Sequence, residues 1–469
     1  MRRSARRFLV IFSTLLAASL AARAQTGGGV DPKVQAAVDA AAAEVLAASK
    51  VPSASIAIVA NGRLAYAKAY GDARVDPRTP ATVEMRYSIG SVSKQFTATA
   101  MLMLAEEGKL SLDDPVARFL PDLTRAKDVR IRQLLSHTSG YSDYWPQDYV
   151  PPFMLRPATA ESILGRWARQ PLDFEPGTKY QYSNTGYVAA GAIVEKASGT
   201  PLLDLLKKRI FVPLGMQSVA DVDRGRLTES DPVGYMRYGL GPLRVAPKEG
   251  PGWLFAAGEL AMTPSDLAKW NVSLIERRLL KPASYAEMSR EVLLTNGVGA
   301  GYALGLDTAI VSGRRALSHG GEVSGFIASN VVFPDDGTAI TVLTNQDANG
   351  AAGDLSERIV RLLFESRDGA AATEARARTI LEGLQRGTLD RSLFTDDANA
   401  YFTADALRDF ATGLGPLGSP SKVEQTAQRD RGGMTFRGYD VTFASGKAEI
   451  WERDMPNGKI EQFQVMPKK

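Results

Sequence analysis

Ser91-Val92-Ser93-Lys94 places a hydroxyl and an amine three positions apart. On a helix, residues at that spacing share a face, so the Lys94 amine can reach the Ser91 hydroxyl. A serine hydroxyl is a weak nucleophile until a base takes its proton. Lysine is such a base only when neutral, and burial and the positive end of a helix dipole both lower its pKa. A second copy of the pattern, Ser419-Pro420-Ser421-Lys422, sits in a Gly/Pro-rich loop with no apolar helix behind it. Behind Ser91, by contrast, an apolar run passes through Met101 and Leu104 to Gly108. Tyr182-Ser183-Asn184 is the only Tyr-x-Asn in the chain. A tyrosine near a lysine can relay protons, and an amide can hold a substrate carbonyl or orient the lysine. His319-Gly320-Gly321 lies just before a predicted strand, where glycines would let a substrate backbone come close.

The elements that must position these groups are legible in outline. The pattern predicts a helix over 32–48 and two strands over 54–60 and 63–70, joined at Asn61-Gly62, a pair that favours a tight hairpin. A helix is predicted to start near Ser91. Thr263-Pro264-Ser265-Asp266 reads as a cap, a first-turn proline and an acid opening another helix. Strand character returns at 303–311, 325–333 and 338–344, and a helix follows at 353–366. Strands at both ends around a helical middle suggest one sheet closed by the two ends of the chain. Residues 367–373 read as a small-residue joint. Beyond it, helices over 374–386 and 403–413 precede strands over 422–428, 434–443, 447–453 and 459–466, with hairpins at Ser445-Gly446 and Asn457-Gly458.

Composition narrows the chemistry. The chain has 469 residues, long enough for two units. It has no cysteine, which excludes thiol catalysis, disulfides and zinc–thiolate sites. With two histidines, His137 and His319, a multi-histidine metal site is not expected. Residues 1–24 read as a signal peptide: Arg2, Arg3, Arg6 and Arg7, an apolar stretch from Phe8 to Leu20, then Ala22-Arg23-Ala24 before a cut at Gln25. The stretch is too short and interrupted for a comfortable membrane span. These residues hold five arginines and no acid, so removing them takes the net charge from +4 to −1. The mature chain gives no basis for a nucleic-acid partner or an anionic-membrane partner. The expected location is periplasmic or secreted.

Together, in this order, the three motifs resemble those of the penicillin-binding proteins and class C-type serine β-lactamases, a family that also holds D-alanyl-D-alanine carboxypeptidases and esterases. Tyr87-Ser88-Ile89-Gly90, Leu134 to Gly140, Ala256-Ala257-Gly258 and Tyr302-Ala303-Leu304-Gly305 fit the same family, over roughly residues 32–366. The resemblance implies an α/β (α+β) fold: a central antiparallel sheet flanked by helices, with a helical insert. The domain plan becomes a signal peptide at 1–24, a hydrolase domain at 25–366 and a small α+β accessory domain at 374–469. Carried over by position, Ser91 forms an acyl-enzyme, Lys94 and Tyr182 share proton transfer, and Asn184 binds substrate or tunes Lys94. His319, Gly320, Gly321 and Glu322 line the substrate strand, and the backbone N–H groups of Ser91 and Glu322 hold the oxyanion. No cofactor is implied.

Three departures bear on substrate. His319 and Gly320 stand where the family often has lysine and threonine, groups that hold a substrate carboxylate. Glu259 stands where relatives more often have glycine. The expectation is therefore an exported hydrolase of a small ester, amide or peptide, of esterase or D-amino-acyl peptidase type. The alternatives are a β-lactamase or D-Ala-D-Ala carboxypeptidase, and an idle member that binds peptidoglycan or assembles with itself. Each residue also has a plain structural reading. His319 could be a satisfied strand histidine, and His137 a loop residue held by local hydrogen bonds. Tyr141, Tyr144, Trp145 and Trp253 are pocket candidates, though such aromatics more often pack inside.

Overall fold

Asn61 and Gly62 both take left-handed φ angles, 52° and 70°, the geometry of a two-residue hairpin. In the computed structural model, which describes residues 29–364 except 148 and 367–468 except 432, they join the antiparallel strands Ser53–Ala60 and Arg63–Val75. The proposed leader at 1–24 lies outside the described residues. Ser53–Ala60 pairs on its other side with Thr338–Thr344, so strands from the two ends of the domain meet at its centre. From edge to edge the seven strands run Arg78–Pro80, Arg63–Val75, Ser53–Ala60, Thr338–Thr344, Phe326–Phe333, Arg314–Val323 and Asp307–Val311. Every neighbouring pair is antiparallel.

The two central strands are apolar on both faces because both faces are covered. Alternate residues point to opposite sides. Ala57, Val59, Ala339 and Leu343 face a large core that includes Phe96 and Trp270. Ile56, Ile58, Ile340 and Val342 face the helices Pro32–Ser49 and Ala351–Phe364 through Val38, Leu355 and Ile359. Within the large core, the helix Lys94–Glu106 is buried all round from Lys94 to Leu104, which marks a central helix rather than a surface one. The helix Pro264–Glu276 starts where its cap predicts: Thr263 Oγ1 accepts the Asp266 N–H.

A third apolar cluster belongs to a separate C-terminal unit. Leu381, Leu384, Phe394, Tyr439, Ile450 and Phe463 pack among themselves. Helix Arg367–Gln385 packs against the first strand of a four-stranded antiparallel sheet, Lys422–Arg431, Met434–Phe443, Gly446–Asp454 and Ile460–Pro467, in sequential order, and helix Ala404–Leu414 packs against Arg367–Gln385. No helix among the described residues is long and apolar enough to cross a membrane.

Three local expectations are corrected. The His319-Gly320-Gly321 segment does not precede a strand but lies inside one, Arg314–Val323; its glycines weaken the alternating pattern by which strands are read. The Ser91 segment opens as a 3-10 turn, Gly90–Ser93, before the α-helix begins at Lys94. Residues 367–373 form the start of a helix rather than an irregular joint; the run Ala370-Ala371-Ala372 favours that state.

Candidate active site

Ser91 is held at the floor of a cleft by a turn that only glycines permit. Gly90 has φ of 51°, and a Cβ there would sit 2.7 Å from the Glu322 nitrogen. A Cβ on Gly321 would sit 1.9 Å from Ile89 O and 3.2 Å from Ser91 N. The two glycines therefore press the Ser91 turn against the strand Arg314–Val323 and bring the Ser91 and Glu322 backbones together. The segment behind is stitched to the same turn: Leu260 N–H donates to Ser93 Oγ at 3.2 Å, and Ile89 N–H donates to Leu260 O at 3.0 Å.

Lys94 is completely buried. In the 3-10 turn, residues three apart eclipse one another, and Lys94 Nζ lies 2.9 Å from Ser91 Oγ. It lies 2.8 Å from Asn184 Oδ1 and 2.8 Å from Ala257 O. Burial pushes its pKa down to about 7, against the pull of the Asp143 and Glu259 carboxyls, which favour the ammonium. The Tyr182 hydroxyl hydrogen-bonds Ser91, and burial raises its pKa well above the usual value, so it stays protonated at neutral pH. The Lys94 amine sits 5.0 Å from the Tyr182 ring centre and 5.3 Å from that of Tyr187.

Tyr182 and Asn184 are placed by a loop and a helix start. Ser183 caps the helix Asn184–Ser198 by accepting the Gly186 N–H. The Ser183 N–H itself donates to His137 Nδ1 at 3.1 Å, and the His137 ring lies 4.1 Å from the Tyr182 ring. His137 is therefore a support for the Tyr182 loop. Its pKa is held well below normal, chiefly by burial.

His319 has both ring nitrogens committed. Nδ1 faces Gly320 O, which only accepts, so Nδ1 carries the proton. Nε2 then accepts from the Tyr302 hydroxyl at 2.8 Å. Burial, with Lys94 nearby, pushes its pKa down to about 3. His319 is thus neutral at physiological pH. Glu322 is exposed and accepts the Ala348 N–H through Oε1 at 2.9 Å. Glu259, the unexpected acid, is buried behind Lys94, with a pKa raised to about 8 by desolvation.

The cleft has a volume of about 580 Å³. Ser91, Tyr182, Asn184, His319, Gly320, Gly321 and Glu322 all line it, and Lys94 lies beneath Ser91. Of the aromatic candidates, Tyr144 and Trp145 form part of its wall. Tyr141 does not: it is buried and its hydroxyl donates to Thr124 O. Trp253 packs behind Tyr144 at 5.8 Å. Charged lining side chains are Asp143, Glu322 and Asp347, with no arginine or lysine among the described lining residues. Among the described residues no group of three or more His, Asp or Glu is placed to hold a metal. Sequence reasoning missed Asp143, Tyr149 and Asp347; Asp143 in Tyr141-Ser142-Asp143 carries no local pattern that would single it out.

A serine, a buried amine and a tyrosine on the floor of a cleft, between a two-ended antiparallel sheet and a helical region, define a class. The chain belongs to the Beta-lactamase family, whose model matches residues 38–364. It is 28% identical over 317 residues to a D-aminopeptidase of Brucella anthropi, an alignment spanning 67% of this chain and 59% of that protein. A D-stereospecific amidohydrolase from Streptomyces sp. superimposes with a TM-score of 0.61 at 29% identity, over 70% of this chain and 98% of that one. The octameric penicillin-binding protein homologue from Pyrococcus abyssi shares the fold at 23% identity, with a TM-score of 0.65 over 93% of this chain and 96% of that one. The chain therefore spans less than two thirds of the D-aminopeptidase's own length.

Proposed function

We propose that this chain is an exported serine hydrolase that forms an acyl-enzyme on Ser91 and cleaves amides or esters of D-amino acids with a free amino group. The observation that carries the reading is the convergence of Lys94 Nζ and the Tyr182 hydroxyl on Ser91 Oγ. In the first step Ser91 Oγ bonds to the substrate carbonyl carbon and gives its proton to neutral Lys94. The Ser91 and Glu322 N–H groups hold the oxyanion. Tyr182 passes a proton to the leaving amine or alcohol as the C–N or C–O bond breaks, and recovers one from Lys94. Water then attacks the acyl carbon along the same proton path in reverse, releasing the acid.

Substrate charge follows from the cleft. A neutral His319 and a glycine at 320 offer neither a cation nor a hydroxyl to a substrate carboxylate. Acidic lining side chains without a lysine or arginine favour a cationic substrate end. Both features weigh against a β-lactamase or a D-Ala-D-Ala carboxypeptidase. The D-aminopeptidase and D-stereospecific amidohydrolase relatives weigh toward amide chemistry on D-residues. The intact Ser91, Lys94 and Tyr182 set weighs against an idle binding protein. The arginine-led leader supports export to the periplasm or beyond. The separate C-terminal core supports a hydrolase domain at 25–366 and an accessory domain at 374–469.

The test is a substrate panel on the purified protein: D-Phe and L-Phe p-nitroanilides, N-acetyl-D-Phe p-nitroanilide, p-nitrophenyl acetate and a chromogenic cephalosporin. Preference for the unblocked D-anilide is expected. Cephalosporin turnover exceeding that of every anilide and ester would reverse the substrate assignment.

A further inference from the structure

One half-buried carboxylate touches the site without having been given a part in it. Asp143 lies on the cleft wall between the loop 136–140 and Tyr144. Its Oδ1 accepts the N–H of Trp145 at 3.2 Å and of Asn184 at 2.9 Å. Its Oδ2 accepts from Asn184 Nδ2 at 3.2 Å. An ionised carboxylate only accepts, so the amide end facing it must be the NH2. That leaves Asn184 Oδ1 facing Lys94, at 2.8 Å. Ala257 O, the third partner of Lys94, also only accepts.

The consequence is directional. A neutral lysine has two N–H groups and one lone pair. Two acceptor-only oxygens consume the two N–H groups, and the lone pair is left facing the Ser91 O–H. Were the Asn184 amide reversed, its NH2 would compete with Ser91 for that lone pair. We infer that Asp143 is a positioning residue: it fixes the Asn184 amide so that Lys94 aims its lone pair at Ser91, and its negative charge sets the pH at which the lone pair appears. The inference rests on the hydrolase reading above and adds the residue that orients and tunes its base.

The groups facing Lys94 can be enumerated. Asp143 and Glu259 favour its ammonium form. Glu259, with a pKa near 8, holds its proton at neutral pH; burial raises the Asp143 pKa as well, but three N–H donors and Lys94 oppose that rise and favour its carboxylate. The rings of Tyr182 and Tyr187 lie beside the amine. His137 and His319 are neutral. Asp143 is therefore the negative charge among these groups that acts on Lys94 at neutral pH.

The experiment uses the full chain labelled with [ε-13C]lysine, the Lys94 signal being assigned by its loss in Lys94→Arg. Its NMR titration midpoint is read in wild type and in Asp143→Asn, beside the pH profile of p-nitrophenyl acetate hydrolysis. In Asp143→Asn the midpoint and the acid limb of kcat/KM should both fall by about one pH unit. Plateau kcat should drop on the order of tenfold or more, with KM changed less than about twofold. Asp143→Ser carries the same expectations should the asparagine variant fail to fold. An unmoved midpoint, or an unchanged plateau, in a folded variant would overturn the inference. Because the titration needs no turnover, a shifted midpoint in an inert wild-type protein would sink the hydrolase reading and leave the positioning role standing.

Discussion

The chain writes Ser-x-x-Lys twice and surrounds the two copies with opposite environments. Lys94 has no exposed surface, three hydrogen-bond partners and a pKa pushed down to about 7. Lys422 has a side chain 62% exposed, pairs with Glu424 at 2.7 Å, and has a pKa raised by that partner. The backbone differs as well. Ser91 and Lys94 bracket a 3-10 turn that stacks them, whereas Lys422 opens the extended strand Lys422–Arg431. Ser419 lies in a bend ahead of that strand, so no helical turn stacks it on Lys422. The spacing of two residues thus carries no chemistry until a turn aligns them and burial lowers the lysine's pKa.

The sharpest way to break this contrast is to delete each hydroxyl. Ser91→Ala should lower ester or anilide hydrolysis by about 10⁴-fold or more and end labelling by a fluorophosphonate probe. Ser419→Ala should leave both at wild-type levels. Labelling that survives in Ser91→Ala would show that another nucleophile had been overlooked. Deleting the amines comes next. Lys94→Ala should cut kcat by about 10²–10⁴-fold, since it removes the proton acceptor, while Lys422→Ala should change it less than about twofold. Near-normal turnover in a folded Lys94→Ala protein would remove Lys94 from the mechanism.

The contrast also marks how far sequence reading reaches. The two-ended sheet was legible because Asn61-Gly62 and the apolar runs at 54–60 and 338–344 are local signals. Ser91, Lys94, Tyr182 and Asn184 were legible because each belongs to a short pattern. Their convergence in space was not, since it depends on Gly90 and Gly321 letting two backbones meet. The strand around His319 was hidden by the glycines that make the approach possible. The neutrality of His319 depends on Tyr302 and on Gly320 O, two contacts that no spacing announces. Asp143 lies 41 residues from Asn184 in the chain and becomes its neighbour only through the fold.

A pH profile sharpens the same comparison with a smaller effect. If neutral Lys94 is the base, kcat/KM should rise with pH and level off above about 7, where the amine loses its proton. Below that point it should fall about tenfold per pH unit. His319 should add no limb of its own, because it is already neutral well below that range. A limb placed above 9 would mean that Lys94 remains an ordinary ammonium and that the buried and exposed lysines do not differ as described.

The smallest effect is expected from removing the region that holds the second copy altogether. The apolar cluster of the C-terminal unit, built on Leu381, Tyr439, Ile450 and Phe463, shares no residue with the two clusters that flank the large sheet. A chain ended near residue 368 therefore keeps both of those cores and every residue lining the cleft. It should remain soluble and hydrolyse p-nitrophenyl acetate within about threefold of the full chain, since no transition-state contact is lost. One observation bears on the opposite outcome. The edge strand Asp307–Val311 approaches Lys422–Arg431, and exposed strand edges invite association. Aggregation of the shortened chain, with activity intact in its soluble fraction, would assign the small domain the task of covering that edge. Loss of activity in a soluble, folded fragment would instead tie the small domain to the cleft and undo the division of labour between the two copies of the motif.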